Sequence, residues 1–323
     1  MVVFGVVQLL LKLTKRLLFD HPDNFRFLAQ RITEHNPTGQ GIDQHFNKRK
    51  LGFYSRIATI AYTCLEQLNG KKVLGPRKES MLLVCGISPI LDDLMDEKGY
   101  SGHEILQITN KISPDSTVEE RVAVGLLDDL DARAPEIRSS EIWEKAIGFQ
   151  VESHAQIHRK LTQPEVAELT FGKGGNIVLL GMLASVPELI STENGQAAFF
   201  RVGALIQFVD DIFDVWKDRE EGQQTLLTTC GDIAELSRVF DEMLAETDGF
   251  LKKLPLPKRR VNTFLFEIKA FTSLGRVALN QLIDLQNKSG GKFSIEKYTR
   301  QELVTDMDLW QNRVAYLKLV FGK

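Results

Sequence analysis

The chain has 323 residues, of which 43% are hydrophobic and 26% charged, and its formal net charge is −3, from 40 basic and 43 acidic residues. This composition is typical of a soluble globular protein, and the scattered basic residues argue against nucleic-acid binding. Cys64, Cys85 and Cys230 are odd in number and far apart, which favours reduced thiols in a cytoplasmic protein over disulfides or a zinc site.

Residues 1–19 form the most apolar stretch of the chain and predict an amphipathic N-terminal helix. Gln8, Lys12, Lys15 and Arg16 are spaced so that they form one polar stripe among Val, Leu and Phe. The stretch has no signal-peptide cleavage site, and Lys12 interrupts it well short of a bilayer-spanning length. Three interpretations stay open: packing on the core, packing on a second subunit in a homodimer, and peripheral contact with a membrane.

Most of the remaining chain has apolar residues three or four positions apart, which predicts helices almost throughout. The predicted helices cover residues 44–68, 76–99, 116–132, 141–160, 168–183, 195–220, 233–251, 258–287 and 298–321. Because no Gly/Ser/Pro-rich linker divides the chain, we predict one all-α domain over residues 1–323. Helices of this length are expected to form a bundle around a central apolar cavity.

Two segments in apolar helical surroundings share the spacing Asp-Asp-x-x-Asp. Acids four residues apart lie on one helix face, and Gln207 lies one turn before the second group. Such acids repel one another, and in apolar surroundings they become neutral unless a cation pairs with them. Mg²⁺ prefers oxygen ligands and shares substrate phosphates, so we predict a Mg²⁺ site. Its candidate ligands are Asp92, Asp93 and Asp96 in the first segment and Asp210, Asp211, Asp214 and Asp218 in the second.

Two other clusters are predicted to be structural. An acidic run on a helix is more often a solvated face, and the run from Asp128 to Asp131 is predicted to be one because its acids do not stack one turn apart. His154 and His158 are spaced for a transition metal. However, no His in the chain has Glu three residues before it, as a carboxylate-bridged di-iron bundle requires, so a helix-face histidine pair is favoured.

The two aspartate segments resemble those of the class I isoprenoid synthases, which include trans-prenyl diphosphate synthases, squalene and phytoene synthases, and terpene synthases. The segment from Gly203 to Asp214, Gln207 included, is similar to the second motif of prenyl diphosphate synthases, whereas its continuation to Asp218 is closer to squalene and phytoene synthases. The resemblance implies two aspartate-rich helices that face each other across an all-α cavity and hold three Mg²⁺ ions against a prenyl diphosphate. It implies catalytic roles for four of the acids, which are Asp92, Asp96, Asp210 and Asp214.

The resemblance also implies substrate-binding roles outside the acids. Lys173 lies where the family places a lysine that binds the diphosphate, although Gly174 stands in place of the usual Thr. Arg313 and Tyr316 are similar to the Arg-Tyr pair that terpene synthases fold over the diphosphate. Together with Gln207 and Lys217, these residues are expected to contact the leaving group. For Lys173, Arg313 and Tyr316, the alternative is an ordinary surface position.

The departures from the family pattern bear on the activity. Chain-elongating enzymes carry a Gly-Gly-Lys-x-x-Arg-Pro segment and an Arg pair after the first motif, but here Asp96 is followed by Glu97-Lys98-Gly99. The resemblance therefore implies a terpene synthase or an enzyme similar to squalene and phytoene synthases. The alternatives are a chain-elongating trans-polyprenyl diphosphate synthase and a non-catalytic prenyl-lipid-binding protein. A cytoplasmic location, with or without membrane association, is expected.

Overall fold

The computed structural model describes residues 2–36, 48–96, 98–108 and 116–322; within these ranges the side chains of residues 2–10, 48, 96, 102, 106 and 107 are not described. All regular structure in these ranges is helical, with no strand, so the predicted all-α class is confirmed. The α-helices are α1 (Val2–His35), α2 (Lys48–Asn69), α3 (Pro76–Asp96), α4 (Gly102–Ile108), α5 (Val118–Asp131), α6 (Glu141–Glu152), α7 (Ala155–His158), α8 (Gln163–Ser185), α9 (Glu193–Glu221), α10 (Ile233–Lys252), α11 (Lys258–Lys288), α12 (Arg300–Leu303) and α13 (Trp310–Phe321), with 3-10 turns at Pro187–Ile190 and Ile295–Lys297.

The helices pack into two compact units. Unit one comprises Met1–Val151 and Leu180–Ser191, and unit two comprises Glu152–Leu179 and Thr192–Lys323. Helix α8 contributes its first part to unit two and its last part to unit one. The interpretation as a single domain around a central cavity stays a prediction. In the described residues, no helix combines the length and hydropathy needed to cross a membrane.

Unit one is built around helix α3, which is apolar on most of its sides. Such a helix is stable only when neighbours cover it, and α2 and α5 pack against it. Asp92 and Asp93 therefore lie at the end of a helix that is buried along most of its length. The core of this unit includes Leu28, Ile32, Leu82, Leu83, Ile87, Ile90, Leu94, Val122, Leu126 and Leu127.

The N-terminal helix is longer than the predicted residues 1–19, and that boundary was wrong. Helix α1 continues through Pro22 to His35 because its second half is part of the core, where Leu28 and Ile32 are almost fully buried. The buried Asn24 side chain donates hydrogen bonds to the Thr59 hydroxyl at 2.8 Å and the Tyr62 hydroxyl at 2.9 Å. These contacts fix α1 on α2.

The prediction that the acidic run from Asp128 to Asp131 is solvated was wrong for Asp129. Its side chain is buried, and it accepts hydrogen bonds from Arg31 Nε and His35 Nε2, both at 2.8 Å. Burial opposes ionisation, but these hydrogen bonds outweigh it and hold the pKa of Asp129 below its usual value. The pairs join α1 to α5 across more than ninety residues of sequence.

Unit two is built around helix α9, which α10 and α11 cover on one side. Phe208 on α9 packs edge-on against Phe240 on α10, with ring centroids 5.4 Å apart. Gly275 lets α11 approach closely, since a Cβ there would lie 2.9 Å from a methyl group of Val209. One side of α9 is thus fixed in the core of the unit.

Two predicted helices are each broken in the structure. The predicted helix 141–160 ends at Glu152, and the backbone carbonyl of Gln156 instead accepts from the backbone N–H of Gln224 at 2.9 Å. The predicted helix 298–321 is interrupted between Leu303 and Trp310. There the Asp306 side chain accepts from the backbone N–H of Asp308 at 2.7 Å, a local turn that competes with helix formation.

Candidate functional site

Helix α9 positions four carboxylates in unit two. It begins after Thr192, whose hydroxyl accepts from the backbone N–H of Gly195 at 3.1 Å, and it ends at Gly222 in the left-handed conformation with φ 70°. Between these caps the acids fall into two pairs. Asp211 and Asp218 are only 5% and 4% exposed, whereas their neighbours Asp210 and Asp214 keep more of their surface open.

The buried Asp211 is held by two side chains. Gln207 Nε2 donates to Asp211 Oδ1 at 2.9 Å and, less closely, to Asp210 Oδ2 at 3.4 Å. The hydroxyl of Thr170 on α8 donates to Asp211 Oδ2 at 3.3 Å. Gln207 is thus an orienting partner of the acids, and its predicted contact with substrate stays a prediction. Sequence reasoning missed Thr170.

A glycine contact brings helix α8 close to this site. A Cβ on Gly203 would lie 2.2 Å from the carbonyl oxygen of Gly174, and one on Gly174 would lie 2.4 Å from the carbonyl oxygen of Gly203. The two backbones therefore touch, which only glycine permits. This contact places Thr170 within hydrogen-bonding distance of Asp211. It also brings Lys173 close enough for its charge to lower the pKa of Asp211. Gly174, where the resemblance leads one to expect Thr, is thus explained by this close helix contact.

The buried acids of α9 have too little positive charge around them. Burial raises the pKa of Asp211 to about 7, and the charge of Asp210 adds to this, against the Gln207 hydrogen bond, the Lys173 charge and the Thr170 hydrogen bond. Burial, followed by the charges of Asp211 and Asp214, raises the pKa of Asp218 to about 8.

Asp210 and the surroundings of Asp218 also indicate that positive charge is scarce around these acids. The pKa of Asp210 is raised as well, first by loss of surrounding water and then by Asp214. Within the described residues, no donor forms a hydrogen bond with the Asp218 carboxyl. A bound cation would allow these acids to ionise at neutral pH.

The predicted cations near the C-terminal end of α9 and on α13 have local partners. Lys217 is exposed, and its Nζ lies 3.9 Å from Asp214 Oδ2. Arg313 donates from Nε to the carbonyl oxygen of Met307 at 3.0 Å and forms an ion pair with Asp308. Tyr316 is half-buried, and burial raises the pKa of its hydroxyl. Diphosphate binding by Lys217, Arg313 and Tyr316 stays a prediction.

The first aspartate segment belongs to unit one, on the last turns of α3. Asp92 accepts a hydrogen bond from Gln150 Nε2 at the end of α6, and Asp93 forms an ion pair with Lys50 on α2. Both carboxylates are partly buried, and the side chain of Asp96 lies outside the described residues. Sequence reasoning missed Gln150 and Lys50 as partners, because both contacts arise from packing between helices.

In the part of the chain that the structure describes, no three His, Cys, Asp or Glu side chains form a ready-made metal cage. The rings of His154 and His158 stack with centroids 6.0 Å apart, but His154 precedes the short helix α7, so the pair does not lie on one continuous helix as expected. The oxygen-rich acids of α3 and α9 remain the candidate metal ligands.

No known family model matches this chain, and no curated protein matches its sequence. Among solved structures, the chain is similar to the crystal structure of a dehydrosqualene synthase in complex with ligand. The TM-score is 0.41 with 12% sequence identity, and the match covers 92% of this chain and 97% of that chain. Membership of a particular family stays a prediction.

Proposed function

We propose that this chain is a Mg²⁺-dependent enzyme that ionises a prenyl diphosphate, in the manner of a terpene synthase or of squalene and phytoene synthases. The observation that carries the proposal is the acidic cluster of α9. Two of its four carboxylates are buried with raised pKa values, and Lys173 acts on the same group of acids. Buried acids with too little counter-charge cost a folded protein stability, so a bound cation explains them best.

The donor set fits Mg²⁺. All the candidate ligands on α9 are carboxylate oxygens, and no imidazole or thiolate is among them, which favours a hard divalent cation. Asp210, Asp211, Asp214 and Asp218 would contribute from unit two. Asp92, Asp93 and Asp96, which lie in unit one, stay candidate ligands on the sequence pattern alone. When bound, Mg²⁺ supplies positive charge that neutralises the diphosphate and stabilises it as a leaving group.

The other residues of this site have distinct roles in the proposal. The carbon–oxygen bond of the substrate breaks heterolytically, so the electron pair leaves with the diphosphate and an allylic cation remains. Lys173 and Lys217 add fixed positive charge beside the departing oxygen. Gln207 and Thr170 hold Asp211 in one orientation, as their hydrogen bonds show. A fixed carboxylate loses less entropy when it binds an ion.

Apolar side chains lie one helical turn from these charges. Ile206 precedes Asp210 by four residues on α9, and Ile177 follows Lys173 by four residues on α8, and both are exposed. Exposed isoleucines next to acids and a lysine suit a ligand with a charged head and a hydrocarbon chain. A prenyl diphosphate has both parts, and an apolar wall protects the allylic cation from water.

A substrate panel tests the proposal. Purified protein is mixed with Mg²⁺ and geranyl, farnesyl or geranylgeranyl diphosphate, and pyrophosphate release is measured with and without isopentenyl diphosphate. Release without the second substrate, abolished by EDTA, is the expected result. Release only with isopentenyl diphosphate would identify a chain-elongating enzyme. Binding of a prenyl diphosphate without any release would identify a prenyl-lipid-binding protein and would contradict the proposal.

A further inference from the structure

Helix α1 exposes a stripe of large apolar side chains. Leu11, Leu18 and Phe19 are 66%, 63% and 65% exposed, and they are spaced i, i+7 and i+8, which places them on one helix face. Between them, Lys15 is exposed. We call Leu11, Lys15, Leu18 and Phe19 the outer face of α1. Single exposed apolar residues are common on proteins, but three on one helix face mark an interaction surface.

Two residues of the predicted polar stripe, Lys12 and Arg16, point inward, whereas Lys15 is exposed. Arg16 Nη2 lies 2.6 Å from Glu66 Oε2 and Lys12 Nζ lies 3.5 Å from the same oxygen, and the Glu66 side chain is only 3% exposed. The Arg16 guanidinium also lies over the ring of Tyr62, 5.5 Å from its centroid. Lys12 and Arg16 therefore hold α1 against α2, and Leu11, Leu18 and Phe19 lie on the outside.

The first half of α1 is basic, and the exposed Asp23, one turn beyond Phe19, is paired with Arg26. Residues 1–19 contain three basic residues and no acidic residue, and the stretch before Leu11 is almost entirely Val, Leu and Phe. Helix α2, which packs on α1, repeats the combination: its apolar residues Phe53, Ile57 and Ile60 are exposed at i, i+4 and i+7 beside Arg56. The first acid of α2 is Glu66, which is buried.

We propose that the outer face of α1 lies on an anionic lipid surface. Leu11, Leu18 and Phe19 would enter the boundary between headgroups and acyl chains, and Lys15 would extend to the lipid phosphates. A second copy of the chain fits less well. A symmetric contact would bring Lys15 of both copies together, and none of the four residues of the outer face is acidic, whereas anionic headgroups neutralise that charge.

Vesicle sedimentation tests this proposal and does not depend on catalytic activity. The full chain is mixed with vesicles of phosphatidylcholine containing phosphatidylglycerol and with vesicles of phosphatidylcholine alone. We expect binding to the anionic vesicles that weakens as salt is raised. The double substitution Leu18→Ser with Phe19→Ser should weaken this binding at least about tenfold, and Lys15→Glu should weaken it selectively on anionic vesicles.

Leu317→Ser is the matched control, because Leu317 is an exposed leucine on α13 in the other unit and should bind as the unchanged protein does. Far-UV circular dichroism verifies that each variant is folded. Absence of binding to either vesicle, or undiminished binding by the Leu18/Phe19 variant, would overturn the proposal. So would a dimer that ignores vesicles and becomes monomeric on the same double substitution, since this would show that the face joins two copies.

Discussion

Replacing Asp218 with asparagine should stabilise the metal-free protein at alkaline pH and change it little near about pH 4. The Asp218 carboxyl is nearly fully buried, and its pKa is raised from 3.8 to about 8. Between these two values, the folded state keeps a proton that the unfolded state has lost. The free energy of unfolding of the unchanged protein therefore falls as pH rises through this window and levels off above it.

The size of the effect follows from the same shift. A difference of about four pKa units corresponds to about 6 kcal/mol at about 1.4 kcal/mol per unit, which is an upper limit because water entry and side-chain movement relieve part of the strain. We expect Asp218→Asn to be at least about 2 kcal/mol more stable than the unchanged protein at about pH 8.5. Asparagine is neutral and close in shape to the protonated acid, so the two proteins should converge at low pH.

Urea denaturation followed by circular dichroism in EDTA, over a series of pH values, measures this difference. Asp284→Asn on α11 is the control, because Asp284 is exposed and its replacement should leave the pH profile unchanged. Saturating Mg²⁺ should then stabilise the unchanged protein at about pH 8.5 more than the Asp218→Asn variant. Equal pH profiles for Asp218→Asn and the unchanged protein would refute the reasoning that burial raises the pKa of this acid.

Gly203→Ala should destabilise unit two by about 2 kcal/mol, measured by urea denaturation, because its Cβ would lie 2.2 Å from the Gly174 carbonyl oxygen. Gly249→Ala, also within a helix but with open space around its Cβ, should instead stabilise by about 0.5–1 kcal/mol, and a loss of stability there would contradict this account. Asp129→Ala should cost about 3 kcal/mol, because it removes the buried carboxylate that pairs with Arg31 and leaves Arg31 only its exposed contact with Glu34. That loss should shrink as pH falls below about 4, because the unfolded chain then takes up a proton that the folded protein, with its lowered Asp129 pKa, still excludes. A pH-independent loss would argue against the ion pair.

The helices were largely predictable from the sequence, because apolar spacing reports which side of a helix is buried. The helix breaks near Asp306 and Gln156 were not predictable, because they depend on side-chain and backbone hydrogen bonds that apolar spacing does not reveal. Asp129 was mistaken for a surface residue for a related reason. Its partners Arg31 and His35 lie more than ninety residues away in the sequence and are brought to it only by packing.

The acids of α9 were predictable because their spacing alone places them on neighbouring faces of a helix. Their partner Thr170 was not predicted, although two glycines in the chain indicated the helix contact that brings it close. Gly174 and Gly203 lie within predicted helices, where glycine is unfavourable, and such glycines often mark a close approach of two backbones. Likewise, apolar spacing indicated a helix at the start of the chain, but the buried Glu66 decides which side of α1 faces inward.

The most direct test of the proposed function is Mg²⁺-dependent pyrophosphate release by the double variant Asp92→Ala with Asp214→Ala. We expect the unchanged protein to release pyrophosphate from a prenyl diphosphate and the variant to lose at least about 100-fold of that rate while its helical circular dichroism is retained. The control variant Asp284→Ala, on exposed α11 surface, should keep full activity. Undiminished release by the double variant would contradict the assignment of these carboxylates to the metal and diphosphate.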